Sequence, residues 1–338
     1  MNKIIFFDTK VYEKGFLESS LSPDFELVFN SESLMPTSDI SSEIVNAEII
    51  SVFTSSRLTA EVLSKFANLK LIATRSVGFS HIDVEYCKAN GIKVVNTPHY
   101  GDHTIAEYSF GLLLSLVRKI YHAEQDMKNG IVNNQYFGME LFNKKIGIIG
   151  LGSIGSKAMK IAKGFSMEVL AFDPYPNKQL QEQYGFEYVD IDHLCKNADI
   201  ISLYAPATPQ NYHLLNEDRL NSMKDGVVIV NTARGELIDT EALFKSIIDK
   251  KVAGAALDVL ECEEALANNC VYIKDHSCSD ATCLRKTLIN HKLLALPNVI
   301  VTPHSAYDTR EAVDRIIEIT VDNIVNFNSG QSVTNSVC

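Results

Sequence analysis

Lys145-Ile146-Gly147-Ile148-Ile149-Gly150-Leu151-Gly152-Ser153-Ile154-Gly155 passes from a branched apolar run into three spaced glycines, and its reading decides the fold. Ile146, Ile148 and Ile149 have the shape and two-sided apolarity of a strand buried in a parallel sheet. Beyond the glycines, Ala158, Ile161, Ala162 and Phe165 recur at helical spacing over 156–165. In a strand, turn and helix of this kind Gly150 makes the tight turn, Gly152 admits a pyrophosphate to the backbone, and Gly155 lets the helix pack closely on the strand. Ser153 and Ile154 then open a helix whose free N–H groups face phosphate.

Spaced glycines recur by chance, so a dinucleotide site also needs an acid at the end of the next strand. Glu168-Val169-Leu170-Ala171-Phe172-Asp173 supplies one, with Asp173 about 20 residues beyond the glycines, where a carboxylate accepts both ribose hydroxyls. The same carboxylate repels a 2′-phosphate. Pro174, Tyr175, Pro176 and Asn177 follow without an arginine, which favours NAD over NADP.

The chain of 338 residues has room for two domains, each with its own core. A formal charge of −11 argues against nucleic acid or an anionic membrane as partner, since both reward clustered Lys and Arg. The apolar run at 4–7 is too short for a signal peptide, and the most apolar helix candidate, 110–117, is bounded by Glu107 and Arg118 and too short to cross a bilayer. Seven cysteines, an odd number, suit free thiols in a reducing compartment. The expectation is a cytoplasmic protein.

Short apolar runs at 3–7, 26–29, 49–53, 69–74 and 92–95, separated in places by helical patterns at 59–66 and 83–90, imply a first parallel sheet without a dinucleotide pattern. This is the place for substrate contacts. Turn formers at 96–102 mark the boundary, and a long helix is expected over 104–127. Its apolar residues, Ile105, Phe110, Leu112, Leu113, Leu116, Val117 and Ile120, occupy more than one face, which points to burial between domains or subunits and to a homodimer. From Ile146 onward strands at 200–203, 227–231, 254–257 and 299–302 describe a doubly wound sheet. A final helix over 309–327 is expected to return to the first domain. The division is then 1–100 with 303–338 for substrate and 101–302 for NAD, with a cysteine-containing insertion at about 264–294. The fold class is α/β: two Rossmann-like doubly wound domains with the active site in the cleft between them. Cys262, Cys270, His276, Cys278 and Cys283 lack a CxxC pair and regular spacing, so no metal site is expected.

Ligands in open α/β sheets bind beyond the carboxyl ends of the strands. Three candidates stand there: Arg234 in Asn231-Thr232-Ala233-Arg234-Gly235, Glu263 beyond 254–258, and His304 in Thr302-Pro303-His304. Oxidising an alcohol by hydride loss needs a group to take the hydroxyl proton, and His is poised for it near neutral pH. A carboxylate beside it favours the imidazolium and orients the ring, the role assigned to Glu263. The guanidinium of Arg234 suits a substrate carboxylate or its neighbouring carbonyl. Taken singly, such residues are more often packed or surface groups; their shared placement carries the reading.

These motifs, in this order and near these spacings over almost the whole chain, resemble the D-isomer-specific 2-hydroxyacid dehydrogenases. The resemblance implies Arg234 for substrate binding and carbonyl polarisation, His304 as general acid/base, Glu263 as its partner, and Asp258 near the nicotinamide. It also implies cofactor contacts from Pro206, Thr232, Ala233, Arg234 and His304. Arg75-Ser76-Val77-Gly78 is similar to the loop whose amides, at Val77 and Gly78, hold the substrate carboxylate. Tyr100 and Thr104 resemble positions facing substrate and cofactor, and Tyr307 after the histidine is similar to the D-lactate and D-2-hydroxyisocaproate branch, which places it on the substrate.

Two departures from the family pattern are the long cysteine-rich segment after Glu263 and the rival carboxylates Glu261 and Glu264; the five-residue offset from Asp258 favours Glu263. The implied reaction is NADH-dependent, reversible reduction of a 2-keto acid to the D-2-hydroxy acid, with pyruvate to D-lactate leading. Alternatives are 2-ketoisocaproate, phenylpyruvate, hydroxypyruvate, glyoxylate or phosphite. From a different class, some transcriptional corepressors resemble the family, which leaves an NAD-sensing scaffold; the chain has neither a basic region nor a tail rich in docking motifs to suit it.

Overall fold

The computed structural model describes residues 2–132, 135–267 and 281–338, and the chain divides into two compact units. One comprises Met1–Tyr100 with Thr309–Cys338, the other Gly101–Asp308.

In the first unit β1 (Asn2–Phe6), β2 (Phe25–Phe29), β3 (Ile49–Val52), β4 (Leu71–Thr74) and β5 (Lys93–Val95) form a parallel sheet in the order β2-β1-β3-β4-β5. Alternating side chains serve opposite faces: Ile5, Ile50, Ile72 and Val94 enter one apolar cluster, and Ile4, Ile49 and Leu71 the other. The helix Arg310–Asn328 covers the second face with Val313, Ile317 and Ile324. Chain order reverses between β1 and β3, the place where such sheets usually take a ligand. Here Asp8 occupies it, accepting the hydroxyls of Ser33 at 2.5 Å, Ser55 at 2.7 Å and Ser56 at 2.7 Å and the Phe53 amide at 3.0 Å.

The second unit has seven parallel strands: β6 (Lys145–Ile149), β7 (Glu168–Phe172), β8 (Glu187–Tyr188), β9 (Ile200–Leu203), β10 (Val227–Asn231), β11 (Val252–Leu257) and β12 (Val299–Val301). Their order is β12-β11-β10-β9-β6-β7-β8, so the reversal lies between β6 and β9. Strands β9 and β10 are buried along their whole length, which is why their sequences are nearly unbroken Ile, Leu and Val. The helix Ser153–Gly164 packs on β6 and β7. Gly155 permits this, since a Cβ there would fall on the Gly150 carbonyl oxygen.

The structure departs from the sequence reading in several places. The helix expected over 104–127 is two helices, Asp102–Val117 and Ile120–Lys128, broken at Lys119, whose φ is 52°. The break is stabilised by the Met139 amide, which takes the Val117 carbonyl at 3.0 Å. Phe110, Leu112, Leu113 and Val117 are buried in the second unit's own core, whereas Ile120 is exposed. Return to the first unit comes at Thr309 rather than 303, because Asp258 binds the Ser305 and Ala306 amides and keeps that turn with β11. The segment read as an irregular insertion contains two helices, Glu263–Ala267 and Ala281–Leu294, and Leu293 joins the core. Cys270, His276 and Cys278 lie outside the described residues. The helix Val11–Leu21 and the short β8 had no clear periodic signal.

His81, in the loop after β4, is 8% exposed, with Nε2 3.2 Å from the Thr74 hydroxyl. Burial, opposed by the charge of Asp8 and aided by Arg57, lowers its pKa from 6.5 to about 4. The folded chain therefore binds fewer protons here than the unfolded chain, and stability present above pH 6.5 is lost as pH falls through the folded value of about 4. At about 1.4 kcal/mol per unit, the loss is about 3 kcal/mol. Urea unfolding between about pH 7 and pH 4.5 should show this component in the wild type and lack it in His81→Gln. Equal pH dependence in the two proteins would refute a neutral buried ring.

Candidate active site

The glycine turn stands at the reversal point of the second unit. Gly150 has φ of 88° and lies so close to the end of β9 that a Cβ would approach the Ala205 amide nitrogen to 2.6 Å. Around Gly152, by contrast, nothing lies within 4 Å of an added Cβ, leaving bare backbone at the N-terminus of Ser153–Gly164. Ser153 and Ile154 form the first turn there, and Gly155 is buried beneath it. Asp173, one residue past β7, is drawn to the turn: its carboxylate accepts the Leu151 amide at 2.7 Å and the Tyr175 amide at 2.8 Å. Thr232, one residue past β10, has a buried hydroxyl with no hydrogen-bond partner among the described residues. An open glycine cradle, an acid beside it and an orphaned hydroxyl fit a dinucleotide. Pro206 is exposed just beyond β9, Ala233 is buried, and Thr104 is buried in the first turn of Asp102–Val117.

Three strand ends away from the glycines, β11 and β12 present the histidine. His304 Nδ1 lies 2.6 Å from Glu263 Oε1, and both side chains are partly exposed, at 41% and 35%. With Nδ1 committed, Nε2 has no partner among the described residues and is the nitrogen left for proton exchange. Glu263 is fixed in turn, its Oε2 accepting the Leu260 amide at 3.1 Å. His304 has φ of 52° and its amide donates to the Asp258 carbonyl at 2.9 Å. The Asp258 carboxylate receives the Thr302 hydroxyl at 2.6 Å and the Ser305 and Ala306 amides at 2.9 Å each. Both its oxygens thus hold the turn bearing the histidine. Burial raises the Asp258 carboxyl above the ordinary range, and these donors with His304 offset only part of that.

Arg234 opens the turn Gly235–Leu237 and donates to the Ala233 carbonyl at 2.6 Å. Its backbone is set by buried Asn231, whose amide donates to the Arg234 carbonyl at 2.9 Å and whose oxygen accepts the Ala233 amide at 3.0 Å. In the first unit, the Val77 and Gly78 amides have no acceptor among the described residues. Their carbonyls are held, Val77 by Asn96 at 2.9 Å and Gly78 by the Ser76 hydroxyl at 2.6 Å, so the amides are oriented without being used. Tyr100 is buried and its carbonyl accepts from Arg315 at 2.7 Å; Tyr307 is half-buried.

Glu261, one of the rival acids, is turned away from the histidine. It is 2% exposed and accepts from Lys286 at 2.6 Å, His213 at 2.8 Å and the Thr240 hydroxyl at 2.6 Å. Burial pushes its carboxyl up, but Lys286, Thr240 and His213 together hold it below the ordinary range. The sequence reading missed this cluster and the Asn231 clamp. A lone amide closing the Val-Val-Ile-Val strand was a usable signal for the clamp; the cluster gathers residues from four separated stretches and offered none. Among the described residues no group of three or more His, Cys, Asp and Glu is placed to hold a metal.

A family model described as D-isomer specific 2-hydroxyacid dehydrogenase, NAD binding domain, matches residues 110–306. The D-lactate dehydrogenase of Escherichia coli (strain K12) is 36% identical over 337 residues, 99% of each chain. An aromatic 2-oxoacid reductase of Clostridium sporogenes (strain ATCC 15579) is 38% identical over 258 residues, 76% of this chain and 75% of the reductase. Among solved structures, D-lactate dehydrogenase from Aquifex aeolicus complexed with NAD and lactic acid matches with a TM-score of 0.86 at 37% identity, covering 99% of this chain and 98% of that one.

If Asp173 accepts the ribose hydroxyls of NAD, replacing it by Ser removes a charged acceptor. The KM for NADH should rise about 10–100-fold while NADPH use changes little, as loss of a charge-assisted hydrogen bond implies. Unchanged selectivity between the two cofactors would refute the role of Asp173.

Proposed function

The chain belongs to the D-isomer-specific 2-hydroxyacid dehydrogenases, NAD-dependent oxidoreductases, and from that premise we propose that it reduces pyruvate to D-lactate. The observation that carries the proposal is the 2.6 Å contact of His304 Nδ1 with Glu263 at the strand ends of an NAD-binding sheet.

Gly150, Gly152, Ser153, Ile154 and Gly155 would hold the pyrophosphate, Asp173 the ribose, and Thr104, Pro206, Thr232 and Ala233 the remainder of the dinucleotide. Bound NADH supplies the hydride. The Arg234 guanidinium takes the substrate carboxylate and Tyr307 serves its side chain; in the first unit, which also carries the aromatic Tyr100, the unused amides of Val77 and Gly78 are of the kind that hold a carboxylate. Arg234 also draws charge from the carbonyl oxygen, where negative charge grows as reduction proceeds. His304, as imidazolium, gives its Nε2 proton to that oxygen. Glu263 stabilises the imidazolium before transfer and keeps the ring aimed during it. Asp258 acts on the backbone, holding His304 in its left-handed conformation. In the reverse direction His304 is the base.

A second reading keeps the machinery and enlarges the acid to an aromatic 2-oxo acid, in line with the name of the Clostridium sporogenes relative. We also propose a cytoplasmic homodimer. Apolar side chains stand far into solvent in one stretch of the second unit, Val132 at 79% and Phe137 at 87% exposure, which suits coverage by a second copy. Cys87, Cys195 and Cys338 are free thiols, as a reducing compartment maintains.

NADH oxidation against pyruvate, 2-ketoisocaproate, phenylpyruvate, hydroxypyruvate and glyoxylate, with product chirality, distinguishes the substrates. Pyruvate should give the highest kcat/KM and D-lactate the product; preference for phenylpyruvate would select the second reading. His304→Ala should lower turnover about 10²–10⁴-fold while NADH still binds, and near-normal turnover would remove His304 from the chemistry.

A further inference from the structure

Glu261 is a buried ionised group that the reaction does not use. Its Oε1 accepts from Lys286 Nζ at 2.6 Å, His213 Nε2 at 2.8 Å and Tyr212 Oη at 3.4 Å, and its Oε2 from the Thr240 hydroxyl at 2.6 Å and amide at 3.2 Å. Lys286 also donates to Tyr212 Oη at 2.8 Å, the Tyr212 and His213 rings stack at 3.9 Å, and Asp239 lies 3.6 Å from His213 Nδ1. Even the Glu261 carbonyl is held, by Asn290 at 2.8 Å. Lys286 and Asn290 both come from the helix Ala281–Leu294.

A buried ion pair is a weak means of stabilising a fold, because desolvation consumes most of what the attraction returns. Direction is what it supplies. The next residue, Cys262, has φ of 54°, a left-handed conformation that is costly for any residue carrying a side chain. That turn sends successive glutamates opposite ways, Glu261 into the cluster and Glu263 to His304. The Leu260 amide returns to Glu263 Oε2 at 3.1 Å, closing a short loop around the turn. The Arg234 turn rests on the same backbone, since a Cβ on Gly235 would strike the Leu260 carbonyl and the Glu261 amide.

We propose that Glu261, clamped by Lys286, His213 and Thr240, is a positioning residue that fixes Glu263 against His304, so that the helix Ala281–Leu294 sets the alignment of the acid/base pair. The inference rests on the reading of His304 as the general acid/base. Lys286 is the group to test: it lies outside the pair, its charge is the one facing Glu261 from that helix, and its loss frees Glu261 to leave the cluster.

The experiment is the pH profile of kcat/KM for pyruvate reduction with NADH in the wild type, Lys286→Met, Glu263→Gln and the double variant. NADH affinity is followed by fluorescence as the check on folding. Reduction consumes a proton, so its wild-type profile should have a limb that falls with rising pH. Glu263→Gln should move that limb down by about one unit or more, as loss of an adjacent opposite charge implies. Lys286→Met should move it the same way by about half a unit or more with NADH affinity unchanged, Lys286→Arg should restore it, and Lys286→Met should add no shift once Glu263 is Gln. If Lys286→Met does not fold, His213→Gln, on the partly exposed side of the cluster, is read in the same way. A limb that moves with Glu263→Gln but not with Lys286→Met overturns this inference and leaves the proposed function standing. A limb that Glu263→Gln does not move overturns the reading of the pair, and the inference with it.

Discussion

A parallel sheet covered on both faces has no room for polar chemistry along its strands, and the groups that fit a dinucleotide, together with the His304 turn, stand where strands end. In the second unit β9 and β10 are buried throughout, and the first polar side chains beyond the central strands are the ones that matter. Asp173 lies one residue past β7, Thr232 one past β10, Asp258 one past β11. The constraint also explains their rigidity. A strand end is where unpaired backbone amides begin, and an acid placed there is pulled into satisfying them. Asp173 serves Leu151 and Tyr175; Asp258 serves Ser305 and Ala306. Each thereby fixes the turn that carries its neighbour, the glycines in one case and His304 in the other.

Within six residues of chain, Asp258, Glu261 and Glu263 are given different work by their surroundings. Asp258 is buried among neutral donors, and burial outweighs them, so its carboxyl titrates above the usual range. Glu261 is as deeply buried but faces Lys286, and the charge more than offsets desolvation. Glu263 keeps about a third of its side chain in solvent and spends its oxygens on one ring nitrogen and one amide. A carboxylate that must respond to a proton on its neighbour cannot also be saturated by fixed donors. That separates the partner of His304 from the two acids that hold its surroundings.

The same distinction sets what was legible in the sequence. Strand cores, the glycine turn and Asp173 were legible because each depends on residues close in sequence and on a fixed period. The pairing of Glu263 with His304 was legible because strand ends are a place that a pattern of strands already defines. The Glu261 cluster was not, since its members come from Tyr212-His213, Thr240 and Lys286 and nothing local marks them as neighbours. Nor was the break at Lys119: apolar periodicity runs through 117–120 unchanged, and the helix ends because Met139 competes for the Val117 carbonyl. Local rules predict elements; they do not predict the distant group that interrupts one.

The two sheets carry this contrast to its end. Each begins with a central strand, builds outward on one side and then crosses to the other, so each has the crevice that doubly wound folds offer to ligands. In both, the chain leaves that strand through a left-handed residue: Asp8, with φ of 55°, after β1, and Gly150, with φ of 88°, after β6. An aspartate in that conformation costs about 1 kcal/mol or more and is retained where its side chain has partners; this one gathers the hydroxyls of Ser33, Ser55 and Ser56 and fills the crevice itself. A glycine has no side chain to fill it and leaves the backbone beyond it bare. One residue at the same turn decides which of two sheets of like topology is closed on itself and which is open to a dinucleotide.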